Sequence, residues 1–204
     1  MKKLFFFVPI ISLAFFACRK LPDTGALSVS FAVSTAKNAD ADFGSYKTYS
    51  MSDTIKLRTT NPNDTVWDDI DAQRLINQVK QNLEARGYTF VGHSTVPDIG
   101  IGFTAVKDLN VGVVYPGWWW GYWGCYWYYC GYPPYYGYGQ IYSVPTGTLI
   151  LDMIDLKNAN ENQRLDVIWS SVMTGGLGYT NDDIDLGIEA VDQSFTQSPY
   201  IETH

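Results

Sequence analysis

Few residues in this 204-residue chain have the types and spacing that catalysis needs. A nucleophilic mechanism requires a nucleophile, a base and an orienting group. The chain holds two histidines, His93 and His204, and no Gly-x-Ser-x-Gly elbow. Only His93 could act as an internal base, and within Gly92-His93-Ser94 it reads as a solvated loop residue. Asp152 and Asp155 fall on opposite faces of one predicted strand, so they do not pair locally as acid and base. Asp152 and Asp166 could face each other across a hairpin, although solvation at a strand edge is the simpler account. Asp182, Asp183 and Asp185 read as helix-start charges and lack the alternating ligands and closing Glu of a calcium loop. Gly175, Gly176 and Gly178 are completed by no phosphate-binding Lys. The expectation is therefore no catalytic residue, no metal and no cofactor. A glycan-cleaving carboxylate pair assembled from distant segments is the alternative.

The three cysteines carry more information. Lys2 and Lys3 precede an apolar run, Leu4 to Ala17, which ends at Cys18. The run is short for a membrane span, which needs about 20 residues. Its end resembles a bacterial lipobox, with Phe15 where Leu is usual and a bulky Phe16 after it. An ordinary secretory signal or an N-terminal anchor helix is the alternative. Residues 1–17 are read as a lipoprotein signal peptide, Cys18 as the acylated residue and 18–26 as a tether. Two or three acyl chains anchor stably where one is marginal. Without Lys2 and Lys3 the chain has 12 basic residues against 21 acidic. That balance argues against nucleic acid and against electrostatic attraction to anionic lipid. Export leaves Cys125 and Cys130 as an even pair in an oxidising compartment. Their spacing, Cys-Tyr-Trp-Tyr-Tyr-Cys, suits neither a redox motif nor a zinc site. A small-loop disulfide worth roughly 2 kcal/mol is the preferred reading, two free thiols the alternative.

That pair lies inside the most unusual stretch of the chain. Between Tyr115 and Tyr142, fifteen of twenty-eight residues are Trp or Tyr, and most of the others are Gly or Pro. The stretch has neither a strand period nor a helix period, so it reads as an insert and not as a core element. Trp118, Trp119, Trp120, Tyr122, Trp123, Tyr126 and Trp127 are its candidate binding residues. Such rings stack on sugars, anchor protein contacts or settle in the membrane headgroup zone. A passive low-complexity loop is the alternative.

The rest of the chain must position this insert. Leu27–Ser34 alternates as a half-buried strand, and Tyr46–Met51 is rich in strand formers. Asp64 or Thr65 begins a predicted helix to about Arg86, with Ala72, Leu75, Ile76, Val79 and Leu83 at helical spacing and Gly87 as its stop. Tyr88–Val91 and the Ile99, Ile101, Phe103 alternation predict two more strands. Gly100 and Gly102 imply an exposed face or a close backbone approach there. Thr148–Leu156 and Leu165–Met173 form a predicted hairpin across the polar loop 157–163. Thr180 and Asp183 have capping-box spacing, and the second helix that follows carries Ile184, Ile188, Val191 and Phe195 on one face and stops before Pro199. The order ββαββ–insert–ββα predicts an α+β fold over 27–204, an antiparallel sheet of about six strands with two helices packed on it.

Several short pieces resemble the bacterial lipoproteins grouped as a domain of unknown function, DUF4136. They are Asp42-Phe43-Gly44-Ser45-Tyr46-Lys47-Thr48-Tyr49, Ala85-Arg86-Gly87-Tyr88, Asp98-Ile99, Gly147-Thr148-Leu149-Ile150-Leu151-Asp152 and Asp166-Val167-Ile168-Trp169. The terminal helix ending near Phe195 and Pro199 also fits. Family members often carry a Gly/Tyr/Trp-rich insert before the Gly-Thr-Leu strand. This chain departs after Trp169, where Ser170-Ser171 replaces the usual basic residue and Gly. The resemblance implies an envelope lipoprotein and brings no known activity and no site residues. The expected setting is the bacterial outer membrane, facing the periplasm. The expected partners are the membrane, through acyl chains, and an envelope protein or glycan.

Overall fold

The computed structural model describes residues 31–92, 95–107, 112–114, 131–137, 142–144, 146–178 and 183–204. The strands are β1 (Ala32–Lys37), β2 (Thr48–Met51), β3 (Ile55–Arg58), β4 (Val66–Trp67), β5 (Thr89–Phe90), β6 (Ile99–Val106), β7 (Gly112–Val114), β8 (Pro134–Tyr136), β9 (Tyr142–Val144), β10 (Thr148–Asp155) and β11 (Leu165–Thr174). The helices are α1 (Ile70–Glu84), α2 (Ala159–Asn162) and α3 (Ile184–Thr196).

Mixed α+β architecture is as expected, but the sheet is not antiparallel. Nine strands form one mixed sheet whose main path is β1-β11-β10-β6-β2-β5, with β3, β4 and β8 added at its margins. β1–β11, β10–β11 and β6–β10 are antiparallel. β2 and β3 both run parallel to β6, β5 runs parallel to β2, and β8 runs parallel to β11. Direction follows from the connections. A chain that leaves β2 and β3, crosses through α1 and returns as β5 and β6 comes back parallel. Side-chain alternation reports which face a residue takes, not which way its neighbour runs.

Element boundaries also move. β1 starts at Ala32, and residues 27–30 of the expected first strand lie outside the described residues. β3 and β4 pair antiparallel in a stretch with no expected strand. This postpones the helix to Ile70, with Asp69 as its N-cap instead of Asp64 or Thr65. The Asp69 carboxylate accepts the backbone N–H groups of Asp71 and Ala72, both at 3.0 Å, which satisfies two of the unpaired donors of the first turn. At the other end Gly87 adopts φ +87°. The Gly87 N–H donates to the Glu84 carbonyl at 2.9 Å and the Tyr88 N–H to the Leu83 carbonyl at 3.2 Å. This is the paired closure of a Schellman stop, which favours glycine.

α1 and α3 lie on one face of the sheet. Leu75, Ile76, Val79 and Leu83 from α1 and Ala190, Val191 and Phe195 from α3 meet Leu149, Leu151, Met153 and Trp169 in the main core. The second face is also buried. Val106, Ile150, Ile154, Leu156, Leu165, Val167 and Val172 form a second cluster, against which Tyr132 and Tyr136 pack. The glycine face of β6 is therefore neither exposed nor opposed by backbone at Gly100, where the Leu156 and Ile154 side chains occupy the space a Cβ would take.

Asp152 stands on this second face at 2 % exposure, with the Ser170 hydroxyl donating to its carboxylate. Burial pushes its pKa from the ordinary 3.8 up to about 7, against the opposing pull of the Ser170 hydrogen bond. The folded protein thus holds the proton more tightly than the unfolded chain. The resulting contribution is fully present below pH ~4 and is lost as pH rises to about 7. The gap corresponds to about 4 kcal/mol. Asp152→Asn is expected to remove this decline, so that its stability relative to the wild type rises between pH 4 and pH 8 in urea unfolding. At the helix stop, Gly87→Ala is expected to cost about 1–2 kcal/mol in the same assay. Its Cβ would both occupy the left-handed region and meet Thr203 Cγ2 at 2.5 Å.

Candidate functional site

The aromatic insert is tied into the fold through short strands. Thr148 of β10 pairs with Val106 of β6, so the chain leaves and re-enters the sheet at one point. Just beyond, β7 and β9 pair antiparallel from Gly112↔Val144 to Val114↔Tyr142, forming a stem. Within the insert, β8 adds to β11 in register Leu165↔Pro134, Asp166↔Tyr135 and Val167↔Tyr136. The stretch was expected to contain no core element. Its 131–137 portion instead supplies a strand, and Tyr132 and Tyr136 cover apolar residues of the second face. Tyr135 remains 44 % exposed, with the Arg164 guanidinium 3.9 Å from its ring centroid, a cation–π distance. Trp118, Trp119, Trp120, Tyr122, Trp123, Tyr126, Trp127, Cys125 and Cys130 lie outside the described residues, as do Cys18 and His93.

Beside β8 is a polar cleft of about 300 Å³. Its position follows from the outer edge of β11. β1 pairs with that edge from Trp169 to Thr174, and β8 pairs with it from Leu165 to Val167. Between the two, β11 bulges. Met153 faces Trp169 while Ile154 faces Val167, which leaves Ile168 as the extra residue. Bulges bend a strand and re-aim its side chains. Here the bulge brings Asp166, in place of Val167, opposite Asp155 at the end of β10. Asp152 and Asp166, which the sequence left as a possible pair across the hairpin, do not face each other. Asp155 is the residue in register with Asp166, and Asp152 faces Ser170.

Asp155 and Asp166 are only 6 % and 7 % exposed. Buried carboxylates require donors, and both have them. Tyr46 donates its hydroxyl to Asp155 Oδ2 at 3.0 Å. Asn158 donates its backbone N–H to Oδ1 at 2.9 Å and its side-chain amide to Oδ2 at 2.6 Å. Asp166 accepts from the Asn162 amide and from Arg164 Nε, each at 2.8 Å. Burial, then the nearby Asp155 charge, raises the Tyr46 phenol well above its ordinary value, so it stays protonated as a donor. Asn38, Asp40, Asp42 and Glu161 complete the polar rim. Chemically the cleft is a set of oriented acceptors and amides. Among the described residues no group of three His, Cys, Asp or Glu is placed to hold a metal ion.

The partners Asn158 and Asn162 gave no signal of their own because 157–163 reads as an undifferentiated polar loop. A usable signal was present in Asp155-Leu156-Lys157-Asn158, where a short carboxylate can accept from the backbone three residues on. The loop folds as the helical turn α2 and is closed by Gln163 at φ +50°.

Comparison with known proteins agrees with the architecture. Residues 33–200 match the family described as Domain of unknown function (DUF4136). A crystal structure of a DUF4136 family protein from Bacteroides thetaiotaomicron is 32% identical, with a TM-score of 0.69 over 85% of this chain and 98% of that one. Two further solved structures are much more distant. A PelC dodecamer from Paraburkholderia phytofirmans has 12% identity and a TM-score of 0.41, covering 85% of this chain and 99% of that one. A PDZ domain protein from Parabacteroides distasonis has 14% identity and a TM-score of 0.38, covering 83% and 36%. No curated protein matches the chain. On the match over 33–200 and the Bacteroides structure, this chain belongs to the DUF4136 family.

Proposed function

We propose that the chain is a non-catalytic, lipid-anchored protein of the bacterial cell envelope whose aromatic insert is a binding surface for an envelope glycan or protein. The observation that carries this reading is the attachment of the insert. The stem of β7 and β9 and the strand β8 fix where it leaves and rejoins the sheet. Trp and Tyr suit recognition, since they bring large contact area at low entropic cost. Fifteen Trp and Tyr in twenty-eight residues is unlike the small, polar composition of an ordinary loop. A Cys125–Cys130 disulfide would stiffen the insert further.

Anchoring is assigned to Cys18, with the domain at the outer membrane and facing the periplasm. The support is the sequence pattern at Ala17-Cys18. Among the described residues no helix is long and apolar enough to cross a membrane. Cys18→Ala is expected to abolish incorporation of radiolabelled palmitate. Retention of label would refute lipidation at this residue.

The insert holds five of the seven tryptophans, so intrinsic fluorescence reports on it directly. The full chain in detergent would be titrated with purified sacculi and, separately, with lipid vesicles. A variant lacking 117–130 keeps β8, and with it the Tyr132 and Tyr136 packing. The expected result is a saturable change with sacculi that this deletion removes. Response to vesicles instead would make the insert a membrane-interface element. Response to neither, together with insert-dependent cross-linking to an envelope protein in cells, would assign a protein partner.

A further inference from the structure

Residues 201–204 bridge two turns that are far apart in sequence. One is the 43–46 turn, which carries Tyr46 to Asp155. The other is the stop of α1 at Gly87. We infer that 201–204 is a strap that locks the two turns together and opens as a local step while the layered core stays folded. The inference goes beyond the binding role proposed above and does not depend on what the insert binds.

Three observations converge on a strap. First, it is seated where two glycines leave room. A Cβ on Gly44 would stand 2.3 Å from His204 Cδ2, and one on Gly87 would stand 2.5 Å from Thr203 Cγ2. The strap also bonds to one carbonyl from each turn. Thr203 donates its N–H to the Arg86 carbonyl at 3.1 Å, and His204 donates its N–H to the Gly44 carbonyl at 3.5 Å. Second, one end is fixed and the rest is lightly held. Ile201 is fully buried in the main core, whereas Glu202 and His204 are exposed. Two backbone bonds are few, and the longer one is weak. Segments with few bonds and little buried apolar surface are the ones that open locally. Third, Thr203 Oγ1 is buried with no hydrogen-bond partner. Closing costs this hydroxyl its water, and opening returns it.

Release of the strap would be felt in the polar cleft, because the turn beneath it is also a wall of that cleft. Tyr46 closes the turn through its N–H to the Phe43 carbonyl at 3.4 Å and donates its hydroxyl to Asp155 at 3.0 Å. Lys157 Nζ donates to the Ser45 carbonyl at 2.8 Å. The Tyr88 hydroxyl also joins the two turns, donating to the Phe43 carbonyl at 3.1 Å, so opening the strap loosens them without parting them.

The test is amide hydrogen exchange of the full chain in detergent. Thr203, Ser45, Tyr46, Gly87 and Tyr88 are compared with 149–155 of β10. The first group is expected to exchange about tenfold faster or more and to be insensitive to low urea, the mark of local opening. Gly44→Ala is expected to speed this group about fivefold further. Gly44 is outside the left-handed region, and the atoms nearest its added Cβ all belong to the His204 ring. In a chain carrying His204→Gly the same substitution is therefore expected to add nothing. Gly87→Ala should speed exchange with Thr203→Gly or without it, because its φ of +87° stays unfavourable to a side chain. Thr203→Val, which removes the unpartnered hydroxyl, should slow exchange about threefold. Equal rates and equal urea dependence in the two groups overturn the inference. So does an effect of Gly44→Ala that is the same with and without the His204 ring, or no effect of Gly44→Ala at all.

Discussion

Strands β10 and β11 carry apolar side chains on both faces, so neither face can be left to water. Leu149, Leu151 and Met153 point to the helices, while Ile150 and Ile154 point the other way into a second cluster. A half-exposed hairpin would need one layer of cover. A hairpin buried on both sides needs two. The first layer is α1 and α3, joined by close approach at Gly187, whose added Cβ would stand 3.0 Å from Leu75 Cδ2. For the second face, the described cover comes from α2 through Ala159 and from the insert through Tyr132 and Tyr136. The insert is thus bound to the fold by the same demand that sets the rest of the chain.

Both helices were legible because each has a single buried stripe. Ile184, Val191 and Phe195 are buried at helical spacing, and the Asp183 carboxylate accepts the Leu186 N–H at 3.1 Å. Strand positions were legible from β-rich composition, yet pairing was not. β2 and β3 occupy successive stretches of one edge of β6, and a two-residue strand such as β4 carries no periodic signal. The aromatic stretch misled in the opposite way. Its Gly and Pro hide a three-residue strand, and Tyr132 and Tyr136 are core-covering residues in a segment whose composition advertises a surface. The site was least legible, since a register-shifting bulge at Ile168 decides whether Asp155 or Leu156 meets Asp166. No local pattern in Val167-Ile168-Trp169 announces which residue will be the extra one.

Ser170 and Ser171, just after Trp169, have a physical consequence. The two serines point to opposite faces. Ser171 shares a hydrogen bond of 2.7 Å with Ser194 of α3, on the helix side. Ser170 meets Asp152 on the other side. A basic residue at 170 could neutralise Asp152 by charge, whereas a hydroxyl can only hydrogen-bond it. An uncompensated buried carboxylate relieves its desolvation by keeping its proton, which is the origin of the raised pKa. Trp169, between the apolar clusters and the terminal segment, has its own polar atom served. Its indole N–H donates to Ser198 Oγ at 2.9 Å, so the residue that packs on Phe195 also fixes the chain beyond α3.

The placement of the insert explains how the fold tolerates it. β6 and β10 are antiparallel neighbours, and Gly147 N–H donates to the Val106 carbonyl at 2.9 Å where they meet. Two residues would suffice to join such strands. A connection of some forty residues instead spans 107–147, between strands already brought together by their own ladder. Lengthening a loop between fixed ends is cheap, about 0.6 kcal/mol for each doubling, and the β7–β9 stem closes part of it with its own hydrogen bonds. The composition of 115–130 is therefore not dictated by the strands that flank it. A stretch under no folding constraint drifts toward the polar, small residues of ordinary loops. Five tryptophans in such a stretch run against that drift.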